Sequence, residues 1–211
     1  MPPFPRDSED WSDHELKMIG AVDVFQAKPR ILKKAEERLL ALNRAMDAEL
    51  KNPALSLPAH LDRDRSQVAR GENHRGFPYI SLDRPQMFSK TDMFTFRSLF
   101  WWGHYLGFAL ILKGSEFGSW TRKLVEDKDR EEWKNVFLAT APNPWEWEQT
   151  DENFMTLHLQ PKENIIRRLE TLDYLKLCRF YPVTDAEFPR LNWTAAGVNT
   201  WRVLSGIVST A

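Results

Sequence analysis

The run over residues 94–113 limits the fold more than any other part of the chain. Phe94, Phe96, Ser98, Phe100 and Trp102 alternate with Thr95, Arg97, Leu99 and Trp101, the two-residue period of a strand whose side chains point to opposite faces. Gly103-His104 has the place and composition of a tight turn, so residues 105–113 return as the second strand of a β-hairpin. A buried helix is the competing reading; the aromatic residues and glycines weigh for strands. The most apolar part, 99–112, is broken by Gly103, His104 and Gly107 and falls short of the ~20 apolar residues that span a bilayer.

Other elements follow from periodicity and punctuation. Leu32, Ala35, Leu39, Leu42, Met46 and Leu50 recur at three- and four-residue steps and predict a helix over about 30–51, with Pro29 in its first turn and Asn52-Pro53 ending it. The polar connector 58–76 is either partly helical or a functional loop. Residues 77–82 read as a strand, and Ser119 caps a helix to about Lys134. Strands at 135–141 and 154–159 flank Asn143-Pro144-Trp145-Glu146-Trp147-Glu148. Pro161 opens a short helix to Leu172, residues 174–181 form a central strand, and 194–208 close the chain as a helix. Between these last two, Pro189 limits a capping-box pattern at 184–187 to about one turn. The order predicts an α+β fold with a mixed or mainly antiparallel sheet packed by helices, one domain over 14–211 after a flexible, Pro-rich and acidic arm over 1–13.

Composition narrows the classes. The 29 Lys and Arg against 30 Asp and Glu, net −1, argue against general nucleic-acid binding. That balance is uneven along the chain: residues 6–23 are net −4, 28–44 net +4 and 126–152 net −6, while beyond Leu191 the only charged side chain is Arg202. One cysteine, Cys178, forms no internal disulfide and reads as an inert buried thiol in a reducing compartment. No apolar targeting segment opens the chain, which predicts a soluble cytoplasmic protein. There is no P-loop, GxGxxG, GxSxG, HExxH or CxxC, and the five histidines are scattered, so the sequence points to no metal and no cofactor.

Two segments carry candidate chemistry. Between Gly71 and Gly76 stand His74 and Arg75, with Arg70 just before: a proton exchanger and a fork for carboxylate or phosphate, in glycine-bounded backbone. The competing reading is an ordinary turn. The hairpin turn adds Trp101, Trp102 and His104, with Arg97 on the strand that feeds it; a tryptophan there is a stacking platform or simply core. His74, Arg75, Arg97, Trp101, Trp102 and His104 are therefore the candidate ligand-binding residues. Glu146 and Glu148 share a strand face, which suits an acid–base pair or a solvated edge. The leading expectation is a binding protein with an aromatic and arginine-lined cleft for a small anionic ligand or a peptide segment. The alternatives are an enzyme with a histidine base and arginine charge stabilisation, and a structural or subunit-interaction protein, homo-oligomeric through the nearly uncharged C-terminal stretch.

Asn73-His74-Arg75-Gly76-Phe77-Pro78-Tyr79, followed by Phe100-Trp101-Trp102-Gly103, resembles uncharacterised bacterial proteins of about this size. The order of elements is similar to that of the YktB-like family of unknown function: an aromatic hairpin before a helix, then an Arg- and Leu-containing helix leading into a late strand, here 165–181. This resemblance implies an α+β fold and implies no reaction.

Overall fold

The computed structural model describes residues 10–209. Its elements run α1 (Asp13–Ile19), α2 (Val22–Leu50), β1 (Gln67–His74), β2 (Phe77–Phe88), β3 (Met93–Trp101), β4 (Tyr105–Lys113), α3 (Phe117–Asp127), β5 (Phe137–Ala139), β6 (Phe154–Thr156), α4 (Lys162–Leu169), β7 (Leu175–Pro182) and α5 (Trp193–Leu204). The strands form one sheet in the order β1-β2-β3-β4-β7-β5-β6, antiparallel at every step. The fold is α+β in a single domain.

The aromatic hairpin stands in the middle of this sheet. β3 and β4 pair without a break from Met93–Lys113 to Trp101–Tyr105, joined by Trp102-Gly103-His104. The alternation sorts the side chains as the sequence predicts. Phe94, Phe96 and Phe100 face the helices with Phe108, Leu110, Leu175 and Leu177, whereas Leu99, Trp101 and Tyr105 face the other side with Cys178. The α2 stripe covers the first face, with Leu39, Leu42 and Met46 fully buried. α5 crosses α2 where Gly197 permits it: a Cβ there would lie 2.6 Å from Leu42 Cδ2. The nearly uncharged C-terminal stretch packs into the same core through Trp193, Trp201, Leu204, Ile207 and Val208, so its apolar character is used inside the fold.

Several boundaries differ from the sequence reading. α2 begins at Val22, and Pro29 sits inside it; an exposed proline removes only one backbone hydrogen bond of a long helix whose packing lies further along. α1 comes before it, capped by Ser12, whose hydroxyl accepts the Glu15 amide (3.3 Å) while the Glu15 carboxylate accepts the Ser12 amide (2.7 Å). The expected arm over 1–13 lies, as far as residue 9, outside the described residues. The polar connector holds β1, an edge strand exposed along much of its length, which hides its alternation. α3 starts at Phe117 without a side-chain cap and ends at Asp127; a short 3-10 turn, Glu131–Trp133, then buries Trp133. Among the described residues no helix is long and apolar enough to cross a membrane.

Candidate functional site

The second face of the sheet is covered by a strap, residues 140–153, rather than by a helix. Three side chains rising from the sheet hold it by its backbone carbonyls. The Tyr174 hydroxyl donates to the carbonyls of Ala141 (2.6 Å) and Asn143 (3.1 Å). Lys176 Nζ donates to those of Pro144 (3.0 Å) and Glu146 (2.6 Å), and the Tyr105 hydroxyl donates to that of Trp147. Thr140 closes the base of the strap by donating to the Glu152 carbonyl (2.7 Å).

Lys176 is fully buried, and no carboxylate pairs with it among the described residues. Carbonyl dipoles and the Trp147 ring, whose centroid is 3.4 Å from Nζ, offset the charge. Burial pushes its ammonium down to about 8. On the same face burial raises the Cys178 thiol to about 12, which leaves it without thiolate reactivity.

A clasp reaches the strap from the far edge of the sheet. His74 pairs with Phe77 across Arg75-Gly76, both at positive φ (52° and 88°), the two-residue turn that suits a twisted hairpin. Asn73 Oδ1 accepts the Gly76 amide at 2.9 Å. The turn carries the Arg75 guanidinium to Glu146 (2.9 Å) and Glu148 (2.7 Å). Burial works against the Glu146 carboxylate, yet hydrogen bonds from the Glu148 amide, from Arg75 and from the Trp147 amide hold its pKa below the usual carboxylate value. Glu146 and Glu148 lie in the strap rather than on a strand, and both carboxylates bind Arg75.

The remaining candidates fall on both sides of the sheet. Trp101 is buried, with the His104 ring stacked on it at 3.7 Å and the His74 ring edge-on at 4.9 Å; its Nε1 donates to the His74 carbonyl (3.2 Å). Burial lowers the pKa of both histidines, and the Nε2 atom of each is buried without a hydrogen-bond partner. Neither ring has at that atom the polar neighbour that would orient it as a base. Arg97 makes a two-pronged bond to buried Asp83 (2.8 and 2.7 Å), and its guanidinium lies 4.7 Å from the Trp145 ring. Trp102 packs against the helix-side core, away from the other five. The structure thus brings His74, Arg75, Arg97, Trp101 and His104 to the strap face, and their arginines are already paired within the chain.

Free cationic groups lie on the other side of the strap. A cleft of about 900 Å³ opens between strap residues 149–151, the β5–β6 edge and α4. Phe137 and Phe154 line it, and α4 presents Asn164, Arg167 and Arg168 to it. Among the described residues neither arginine makes an ion pair, and Asp151 is the one carboxylate in the lining. The sequence predicts this helix but marks no site on it, because its clear signal is amphipathic: Ile165 and Leu169 are buried and the arginines are outside. Phe154 also lies near Lys176, 5.3 Å from its Nζ, so the cleft and the pinned strap share a wall. Among the described residues no three His, Cys, Asp or Glu side chains gather as metal ligands. No protein-family model matches the chain, and no curated protein matches it.

Proposed function

We propose that the protein binds a small anionic ligand in the cleft between the strap and α4. The observation that carries this reading is the pair Arg167 and Arg168, unpaired among the described residues, at the rim of a cleft of about 900 Å³ with Phe137 and Phe154 in its lining. A volume of this order suits a small molecule. Guanidinium forks recognise carboxylate or phosphate in a way that a point charge does not, and the aromatic lining supports a flat ligand. The residues first read from the sequence act one step back: Arg75 clasps the strap that forms the opposite wall. A reducing, cytoplasmic setting goes with this reading, supported by the single buried thiol of Cys178.

Calorimetric titration with citrate, inorganic phosphate and AMP tests the reading. At least one anion saturates the wild type, and Arg167→Glu with Arg168→Glu weakens it by about 10- to 100-fold, the range of one or two charge-assisted hydrogen bonds. Both arginines are exposed, so the unfolding midpoint of the variant stays near that of the wild type. Affinity that is unchanged in the double variant places any binding elsewhere and overturns the proposal, as does an absence of binding by all three anions.

A further inference from the structure

We propose that two copies of this chain associate antiparallel through the N-terminal helical arm, which is made of α1 and the first two turns of α2. None of residues 10–31 is buried. The arm nevertheless carries large apolar side chains: Trp11, Leu16, Ile19, Val22 and Phe25 are 67%, 52%, 58%, 55% and 68% exposed. Phe25 stands one heptad before Leu32, and Leu32, Leu39 and Met46 continue the same line into the core, so the stripe that binds α2 to the sheet runs on past the point where the chain covers it. So many exposed apolar side chains on one short segment mark an association surface.

Charge selects the occupant and its direction. Residues 10–23 carry four acidic side chains and one basic, net −3, and residues 28–34 carry four basic side chains and no acidic one, net +4. Lys28 is held by Glu72 on β1. Arg30, Lys33 and Lys34 make no ion pair among the described residues, and neither do Asp13 and Asp23. Within one chain these two blocks follow one another along the arm and on into α2. In a second copy laid antiparallel, the acidic block of each chain meets the basic block of the other, twice over, around the apolar residues between them. A parallel pair would set like charges against each other. A twofold axis perpendicular to the arm generates the antiparallel pair, in which the same patch serves both partners. Any other partner would have to supply this charge pattern, whereas a second copy carries it by construction.

Sedimentation velocity of the full chain from about 1 to about 100 µM reads the association directly. The wild type sediments as a dimer in this range. Phe25→Asp shifts it to monomer while leaving the far-UV dichroism spectrum unchanged, because Phe25 is exposed. Lys33→Glu with Lys34→Glu weakens the dimer by about tenfold or more, and adding Asp13→Lys and Asp23→Lys to that variant restores it. A wild type that is monomeric throughout the range overturns the proposal, as does a dimer indifferent to Phe25→Asp. A charge-reversed variant that the compensating changes fail to rescue overturns the antiparallel arrangement.

Discussion

Lys176 is the residue whose chemistry fits its surroundings least. Its ammonium is buried against two carbonyls and an indole ring, and burial lowers its pKa to about 8. In the unfolded chain the same group keeps its proton to about 10.4. Between these values the unfolded state binds more protons, so this lysine makes the protein more stable as pH rises. Cys178, Tyr105 and Tyr174 are raised by burial and act in the opposite direction at alkaline pH. Comparison with Lys176→Met cancels those contributions. From pH 7 to pH 10 the wild type gains stability over Lys176→Met on the order of 2 kcal/mol, measured by urea denaturation at each pH. Parallel pH profiles for the two proteins would show that the buried ammonium does not titrate in this window. A lysine in a largely apolar strand is visible in the sequence, and lysine is almost never fully buried without partners. The sequence did not reveal that the partners are carbonyls more than two dozen residues away.

At the scale of elements, the strap and the arm are where the sequence was hardest to read. The hairpin, the buried part of α2, β7 and α5 were legible because each buries a periodic apolar face. The strap buries Trp147 but is held by its backbone, and backbone carbonyls leave no trace in a residue pattern. Arg75, His74 and His104 were legible as a polar and aromatic group; that Arg75 binds Glu146 and Glu148 depends on a turn and a loop meeting across the sheet. Magnitudes separate the two kinds of attachment. Arg75 is half exposed, so Glu146→Gln with Glu148→Gln costs only about 0.2–1 kcal/mol and speeds amide exchange in residues 141–148 severalfold without unfolding the sheet. Tyr105→Phe instead leaves the buried Trp147 carbonyl without its donor and costs about 1–3 kcal/mol. Hydrogen–deuterium exchange with denaturation curves on both variants checks this order; a larger loss from the glutamate pair would make the clasp, not the pins, the main restraint.

At the scale of the molecule, the decisive fact is the position of β7. It enters between β4 and β5, so the sheet from β1 to β4 is continued by a strand from the far end of the chain. α5, later still, packs on α2, which precedes every strand. Local periodicity identifies such elements but not their partners, and for this reason the class was legible and the strand order was not. The same topology leaves no part of the sheet that can close its core alone. Phe96 sits where these dependencies meet: it is 1% exposed, its ring is stacked 6.1 Å from Phe108 on β4, and the Trp201 ring of α5 lies 5.5 Å away. Phe96→Ala empties a site shared by the hairpin and the C-terminal helix and costs about 3–5 kcal/mol. Tryptophan fluorescence reports on both faces of the sheet, through Trp101 and Trp147 on one and Trp193 and Trp201 on the other, while far-UV dichroism reports on the helices. Because β7 contributes to both faces and α5 closes the helix side, the two signals fall together in denaturant for the wild type, and in Phe96→Ala both move to lower denaturant by the same amount. If the fluorescence transition moved while the helical signal held its midpoint, the helix layer would be stable without the hairpin, and the interlocked sheet order would not be what makes the fold cooperative.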